Sequence, residues 1–266
     1  MDFAEFMVDG QRRYVERMAN EQRIRDLRNR YAGRRCFIIG NGSSLRAADL
    51  DRLHAAGEIT LAANKIFLIF PQTAWRPTFC LVGDRGIAAS SGRELGEHFH
   101  GNVLCTDQVV ENIPAAARYA SLRVQWKYLR EAPDFSEDLV KGICRGGTVT
   151  YSAMQVAAWM GITEIYLLGV DFNYVLPGLR PSDKFADCST YTPGAERNYF
   201  VEGYLKSDEA VIAPDMEASL HAYRAAQLRC ESQSNFKIRN ATRGGNLEVF
   251  PRVAFDNLFP PMALSA

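Results

Sequence analysis

Short apolar runs alternate with longer amphipathic stretches over the first two thirds of the chain. The runs are bounded by Gly, Asn, Asp or Thr, which is typical of buried strands. Predicted strands occupy residues 36–39, 59–63, 78–82, 102–105, 121–125 and 164–168. Helical spacing predicts helices over residues 45–56, 151–160 and 214–232. This alternation indicates an α/β protein with a doubly wound, Rossmann-like, mostly parallel sheet that carries helices on both faces.

Changes in pattern divide the chain into four predicted segments. Residues 1–32 form a helical arm, either a packing or oligomer contact or a solvated lead-in helix, and residues 33–172 form the Rossmann-like core. Residues 173–211 are rich in Pro, Gly, Asp, Ser and Tyr and show little periodicity, which favours a lid or loop subdomain. Residues 212–266 are expected to complete the core with a helix and with edge strands or an ordered wrap.

The composition narrows the class of protein. Of 266 residues, 47% are apolar, and 31 basic residues balance 31 acidic ones, so there is no basic excess for nucleic acid. The six cysteines contain no C-x-x-C pair, which indicates reduced thiols in a cytoplasmic protein. The first 30 residues resemble no secretory signal, and no apolar run is long enough to cross a bilayer.

The first predicted strand ends in the glycine-rich turn Gly40-Asn41-Gly42-Ser43-Ser44. Its glycines allow close backbone approach, and Ser43 or Ser44 can cap the next helix. A strand, such a turn and a helix N-terminus together predict a cradle for a nucleotide or another phosphorylated ligand. The turn lacks two known signatures: Leu45 stands where a NAD fingerprint has its third glycine, and no lysine follows as in a P-loop.

Polar residues also follow the other predicted strands: Asn64, Asp84, Asp107 and Asp171. Because ligands bind at the carboxyl ends of the strands in open α/β sheets, these side chains are candidates for one site. Asn41 and Asn64 can bind phosphate, ribose or base, or can merely satisfy turn backbones. Similarly, the aspartates can bind sugar hydroxyls, hold Mg²⁺ or act as a base, or can simply cap the following turn.

A second turn precedes the helix predicted at 151–160 and reads Arg145-Gly146-Gly147-Thr148. It combines a cation and a hydroxyl with a helix N-terminus, so it can receive a phosphate or a carboxylate, although a surface loop is an equal alternative. The histidines form no catalytic motif, and no metal-binding cluster is predicted.

Three long segments resemble a known family. They are IIGNGSSLRAADLDRL, RGGTVTYSAMQVAAWMGITEIYLLGVDFNY and NATRGGNLEVFPRVAFDNLF. They are similar to the Campylobacter-type sialyltransferases of glycosyltransferase family 42 and, more closely, to the DUF115 family. That family includes motility-associated Maf glycosyltransferase-like proteins and the archaeal 6-hydroxymethylpterin diphosphokinase. The resemblance covers roughly residues 34–259.

The resemblance implies roles for individual residues. The nucleotide-binding positions would be Gly40, Asn41, Gly42, Ser44, Asn64, Thr148 and Asp171. The turns and strand ends add Ser43, Asp84 and Gly147 as further candidates for nucleotide binding. The catalytic positions would be Arg145, Asp171 and Tyr199, with Arg145 near the phosphate or a sugar carboxylate. Family 42 has a lid histidine as general base, but the register places Asn198 there, and Tyr199 can only hydrogen-bond or steady a leaving phosphate.

The resemblance therefore implies a glycosyltransferase that transfers a sugar from a nucleotide-sugar donor, expected to be CMP-activated and nonulosonate-like, to a glycan or protein acceptor. Surface glycan or flagellin modification is the expected role, and no metal or other cofactor is required. One alternative is a diphosphokinase-like phosphotransferase that uses ATP and Mg²⁺, with Asp84 and Asp171 holding the metal. Another is a nucleotide-binding protein without catalysis. Peripheral membrane association and a homo-oligomer remain open.

Overall fold

The computed structural model describes residues 3–125, 134–183, 188–194, 197–205 and 211–259, with side chains from residue 11 onward. The described strands are β1 Arg35–Ile39, β2 Ile59–Ala63, β3 Phe79–Val82, β4 Val103–Thr106, β5 Arg118–Leu122, β6 Val124–Gln125, β7 Ile143–Cys144, β8 Glu164–Leu168, β9 Arg180–Pro181, β10 Ser189–Tyr191, β11 Val211–Ile212 and β12 Lys237–Asn240. The α-helices are α1 Phe3–Asp26, α2 Ala47–Ala55, α3 Arg85–His98, α4 Val149–Trp159 and α5 Met216–Ser232. Short 3₁₀ helices span Ile66–Gln72, Val110–Asn112 and Phe255–Leu258.

Seven parallel strands form the main sheet in the order β12-β8-β1-β2-β3-β4-β5. The chain starts at β1, winds outward to β5, and returns to place β8 on the other side of β1. The strand order therefore reverses between β1 and β8, which defines the topological switch point of the sheet. The prediction of a doubly wound, Rossmann-like α/β fold is confirmed.

Alternate residues of β1 enter different cores, because successive strand side chains point to opposite faces of a sheet. Cys36 and Ile38 pack in one apolar cluster, which includes buried residues of α4 and α5. Phe37 and Ile39 pack in the other, which includes buried residues of α2 and α3. Both faces of the sheet are thus covered by helices, as a parallel sheet requires.

The strands predicted at 59–63 and 164–168 are found as β2 and β8, and 237–240 is an edge strand as expected. The strand predicted at 121–125 is wrong in one respect. Strand β5 of the main sheet ends at Leu122. Val124 and Gln125 instead pair with Ile143 and Cys144 in a separate two-stranded sheet. The backbone of Arg123, between these strands, accepts a hydrogen bond from the Ile143 N–H at 2.8 Å.

Helix α3 was not indicated by the sequence pattern, because it contains three glycines in addition to its serines. Two of these glycines are required by packing. A Cβ at Gly92 would lie 2.0 Å from the carbonyl oxygen of Asn112, and one at Gly96 would lie 2.6 Å from Pro114. Close packing against the segment before β5 therefore outweighs the low helix propensity of glycine.

The tail after β12 is an ordered wrap. It carries a single parallel bridge, between Asn240 and Arg252, before the last 3₁₀ helix. Arg243 pairs with the buried Asp49 of α2 at 2.8 Å and with Asp256 at 2.9 Å, which fixes the wrap to the main sheet's helices.

Helix α1 contacts the body through its C-terminal part, where Ile24 is buried and its carbonyl accepts the Trp159 indole N–H at 2.8 Å. The side chain of Asn20 pairs with both backbone groups of Ser121 in the edge strand β5, each at 2.8 Å. Tyr14 and Met18 are exposed. The division of the chain at residues 32, 172 and 211 stays a prediction.

The structure also bears on the cysteines and on membrane-spanning segments. The six cysteines, all within the described ranges, form no disulfide, and Cys36, Cys80, Cys105 and Cys144 are buried. Among the helices that the structure describes, none has the length and apolar character that a bilayer crossing needs.

Candidate functional site

A cavity of about 580 Å³ lies at the carboxyl ends of the strands and includes the switch point. It is lined by ten of the twelve nucleotide-binding and catalytic positions that were predicted from the sequence. These are Gly40, Asn41, Gly42, Asn64, Asp84, Arg145, Gly147, Thr148, Asp171 and Tyr199. Residues from six separate segments are therefore brought together, although their contacts with a ligand stay a prediction.

The loops after β1 and β8 are joined at the switch point. The N–H of Gly40 donates to the Leu168 carbonyl at 2.8 Å, and the N–H of Gly42 donates to the Gly169 carbonyl at 2.9 Å. A Cβ at Gly40 would lie 2.3 Å from the Gly169 oxygen. The glycines are thus required by the approach of the two loops, independently of any ligand.

Asp171 holds the glycine-rich turn from the opposite loop. Its Oδ2 accepts the Ser44 N–H at 2.9 Å and the Ser43 hydroxyl at 3.1 Å, and its Oδ1 accepts the Ser44 hydroxyl. Ser43 and Ser44 lie outside the cavity lining. The expected serine cap is wrong, since α2 begins at Ala47 after Arg46, without a side-chain cap, and the serines bond to Asp171 instead.

Asn41 and Asn64 follow neighbouring strands and share an unusual feature. The Asn41 amide nitrogen donates to the Ala63 carbonyl at 2.9 Å, which fixes its oxygen on the other side. The side-chain oxygens of both asparagines are buried without a hydrogen-bond partner among the described residues. Buried polar atoms are nearly always paired, so these two oxygens call for a donor that the described residues do not supply.

The Arg145–Thr148 turn is tightly packed and leads directly into α4. Thr148 caps α4, because its hydroxyl accepts the Thr150 N–H at 3.3 Å. A Cβ at Gly146 would lie 2.3 Å from the Tyr151 ring, and one at Gly147 would lie 2.9 Å from Ala218 of α5. Gly147 is exposed, so the turn is a packed loop that reaches the surface, and the N-terminus of α4 lines the cavity together with Arg145. The binding of a phosphate or a carboxylate by this turn stays a prediction.

Asp84 caps α3 by accepting the Ile87 N–H at 2.8 Å, and it lines the cavity. Burial raises the pKa of its carboxyl, although backbone hydrogen bonds from Ile87 and Gly86 and the charge of Arg85 oppose the shift. Asp107 is exposed and accepts the Val124 N–H at 3.2 Å. Asp107 thus lies outside the cavity lining, and the prediction that it joins the other strand-end residues there is wrong.

Tyrosines from the lid form a wall of the cavity. Tyr199 and Tyr204 stack with ring centroids 4.0 Å apart, and Tyr174 lies edge-on to Tyr199 at 6.1 Å. Burial raises the pKa of all three hydroxyls. They remain protonated at neutral pH and can donate hydrogen bonds, but they cannot serve as bases there.

Asn198, which the register of the resemblance places at the lid histidine, has a structural contact for each polar atom of its side chain. Its Oδ1 accepts the Val175 N–H and its Nδ2 donates to the Val175 carbonyl, both at 2.8 Å. The amide therefore joins the lid to the segment after β8. An amide cannot take a proton at neutral pH, so Asn198 is not a general base.

Residues 12–176 match the family model described as 6-hydroxymethylpterin diphosphokinase MptE-like. This range contains the switch point and most of the cavity-lining segments. The chain belongs to the MptE-like family. The predicted DUF115-type relationship is thereby confirmed.

One solved structure shares the fold of this MptE-like chain. It is a MAf glycosyltransferase from Magnetospirillum magneticum AMB-1, with a TM-score of 0.50 and 16% sequence identity over 92% of this chain. The chain corresponds to 39% of that longer structure. No curated protein sequence matches the chain.

Two cavity residues of this MptE-like chain had no signal in the sequence. Thr106 ends β4 and Gln108 follows it, on either side of the exposed Asp107. The Thr106 hydroxyl oxygen and the Gln108 amide nitrogen are buried without a partner among the described residues. An isolated Thr or Gln after a strand is too common to indicate a site, so only the fold could identify them.

Proposed function

We propose that this protein is a glycosyltransferase that takes its sugar from a nucleotide-activated donor, of the CMP-nonulosonate type, in surface glycan or flagellin modification. The observation that carries the proposal is the polarity of the cavity at the switch point. Unpaired amide oxygens of Asn41 and Asn64 lie at the ends of β1 and β2. The cation of Arg145 and the N-terminus of α4 face the same cavity.

The amide oxygens favour the nucleoside over the phosphate at β1 and β2. Phosphate oxygens are acceptors and would be repelled by Asn41 Oδ1 and Asn64 Oδ1, whereas ribose hydroxyls and an exocyclic base amine are donors. This reverses the expectation of a phosphate cradle in the glycine-rich turn. The cation of Arg145 and the positive end of the α4 dipole suit the phosphate better.

In the proposed reaction the bond between the anomeric carbon and the phosphate oxygen breaks, and the electron pair leaves with CMP. Arg145 and the α4 N-terminus stabilise the negative charge that develops on the leaving phosphate, and Tyr199 donates a hydrogen bond to it. The acceptor hydroxyl forms the new bond to the anomeric carbon and loses its proton. The catalysis consists of positioning and electrostatic stabilisation, and no metal or other cofactor takes part.

Asp84 is suited to receive that proton. The side chain of Asn198 is hydrogen-bonded to the backbone of Val175. Asp84, by contrast, is a half-buried carboxylate that lines the cavity. Asp84→Asn keeps an oxygen for the α3 cap, so it should bind CMP normally and lose CMP release from the donor. Asp215→Asn is the matched control, because Asp215 caps α5 in the same way at 2.9 Å and lines the cavity from an exposed position.

A thermal-shift series across CMP, CDP, UDP, GDP and ATP, each with and without Mg²⁺, tests the proposal. Stabilisation by CMP without a metal is the expected result. If no nucleotide stabilises the protein, the cavity is not a nucleotide site and the proposal is wrong. CMP binding without any release of CMP from CMP-activated sugars and an acceptor would favour a binding protein that lacks catalysis.

The family match favours one second candidate, a diphosphokinase-like phosphotransferase using ATP and Mg²⁺. Asp84 would then contact the metal, alongside phosphate oxygens and water. Asp171 is poorly suited to that role, because both of its oxygens already accept hydrogen bonds from Ser43 and Ser44. Binding of ATP with an absolute requirement for Mg²⁺ would establish this candidate over the glycosyltransferase.

A further inference from the structure

The far end of the cavity, at β4, carries hydrogen-bonding groups that the proposed reaction does not use. The Gln108 amide nitrogen and the Thr106 hydroxyl are buried there without partners within the described part of the chain. Val124 and Ile143, which pair with each other across β6 and β7, line the same cavity and are buried apolar side chains. We define Thr106, Gln108, Val124 and Ile143 as the β4 subsite.

The position of the β4 subsite limits which part of a donor can reach it. Three strand spacings separate β1 from β4 in the sheet, which amounts to about 14 Å. Two spacings, about 10 Å, separate β2 from β4, so we place the nucleoside, held by Asn41 and Asn64, at β1 and β2 and the rest of the donor toward β4. The subsite therefore faces the group that lies beyond the phosphate, which is the sugar to be transferred.

The chemistry of the subsite identifies the feature of the sugar that it recognises. The Gln108 nitrogen can only donate hydrogen bonds, and the Thr106 hydroxyl can donate as well, so the partner is an acceptor oxygen. The neighbouring walls from Val124 and Ile143 are apolar and suit a small alkyl group. A carbonyl oxygen joined to a methyl group satisfies both conditions. A hydroxyl in place of the acylamino group satisfies neither, because it carries no alkyl group and its oxygen ends two bonds short of the position of the acyl oxygen.

A carboxylate fits this end of the cavity less well. Asp84 follows β3, between the nucleoside end and β4, and its carboxylate would repel a second negative charge but not a neutral amide. We propose that the β4 subsite binds the N-acyl group of an acylamino sugar, with Gln108 and Thr106 donating to the acyl oxygen and Val124 and Ile143 contacting the alkyl end. This inference rests on the proposed glycosyltransferase function and deepens it.

Two donors that differ at one position test the inference. The 3-fluoro analogues of CMP-N-acetylneuraminate and of its deaminated congener differ only in an acetamido group replaced by hydroxyl. The fluorine slows loss of CMP, so dissociation constants can be measured by titration calorimetry. The wild-type protein should bind the acetamido analogue about tenfold more tightly, because a site built to hydrogen-bond one group rejects the ligand that lacks it.

Gln108→Met keeps the shape of the side chain and removes the donor. It should bind both analogues equally and bind CMP as the wild type does. Gln125→Met is the matched control: Gln125 donates to the Gly142 carbonyl at 3.0 Å, lies outside the cavity lining, and should keep the tenfold preference. Thr106→Val is an isosteric change that removes the other donor, and it should also reduce the preference for the acetamido analogue. It tests the inference if Gln108→Met fails to fold.

The outcomes separate the two proposals. If the wild-type protein binds CMP but does not distinguish the two analogues, the N-acyl subsite is wrong and the nucleotide site stands. The N-acyl subsite is also wrong if Gln108→Met weakens the binding of both analogues by the same factor. If neither CMP nor either analogue binds, the proposed function itself fails.

Discussion

The carboxylate of Asp171 binds Ser44 through both of its oxygens, one to the backbone N–H at 2.9 Å and one to the hydroxyl. This contact joins loops that are 127 residues apart in sequence and that leave the sheet on the two sides of its switch point. Asp171 therefore shapes the cavity through the loop that it holds. This structural role accounts for an aspartate at this strand end without any contact to a ligand.

Asp171→Asn should destabilise the protein, because an amide N–H would face a serine donor in place of an oxygen. The loss of charge-assisted hydrogen bonds is expected to cost about 1.5–3 kcal/mol in the free energy of unfolding, measured by urea denaturation. Ser43→Ala removes only one of the three contacts and should cost less. Equal stability of Asp171→Asn and the wild type would show that the loop is held by other contacts.

Gly42→Ala should be strongly destabilising. Its Cβ would lie 2.5 Å from the Asp171 carboxyl carbon, so either the turn or the carboxylate must move. Gly57→Ala provides the comparison, because Gly57 has a φ of +62° but nothing within 4 Å of the new carbon. A smaller fall in melting temperature for Gly57→Ala would separate the steric effect from backbone strain, and equal falls would argue against the steric one.

Asp84→Asn should change stability in a pH-dependent way. Burial raises the pKa of Asp84 in the folded protein above its ordinary value of 3.8, so the wild type loses stability as the pH rises through that raised value. The asparagine variant has no charge to bury. Its melting temperature relative to the wild type should therefore increase from acidic to neutral pH and then level off, and a flat difference would contradict the assignment.

Arg145→Ala and Asn64→Ala should each weaken nucleotide binding. Loss of a charge-assisted contact from Arg145 is expected to cost about 1.5–3 kcal/mol of binding free energy, and loss of the Asn64 amide somewhat less. Titration calorimetry with CMP measures both. Arg93→Ala on the outer surface of α3 is the control, since its side chain is 93% exposed, and an unchanged affinity in either test variant would remove that residue from the site.

Asn198→Ala should loosen the lid. The change removes the partner of both backbone groups of Val175, at an expected cost of about 0.5–1.5 kcal/mol for each lost hydrogen bond, because Val175 is exposed and water can replace the amide. Faster proteolysis of the segment around residue 198, with the sheet intact, is the expected observation. An unchanged cleavage rate would mean that Asn198 does not hold the lid.

The sheet could be predicted from the sequence because its strands are buried on both faces and form continuous apolar runs, as β2 and β8 do. Helix α3 could not, because Gly92 and Gly96 serve contacts with residues that are distant in sequence. Local propensity points away from a helix there, and tertiary packing decides the outcome.

Part of the site could be predicted because its residues lie at the ends of the predicted strands and at the start of a predicted helix. Asn41, Asn64 and Arg145 follow apolar strands or precede a helix, so their place at one edge of the sheet follows from the fold class. The direction in which a side chain points does not follow from the fold class. Only tertiary contacts could reveal that Ser44 bonds to Asp171 and that Gln108, next to Asp107, lines the cavity.

The side chain of Asn20 pairs with both the N–H and the carbonyl of Ser121 on the outermost strand, β5. A primary amide has the same donor and acceptor as a peptide group, so Asn20 imitates one residue of a further strand without continuing it. At that point another chain finds no open hydrogen-bonding groups to extend the sheet. Helix α1 thus blocks extension of the sheet beyond β5 at Ser121.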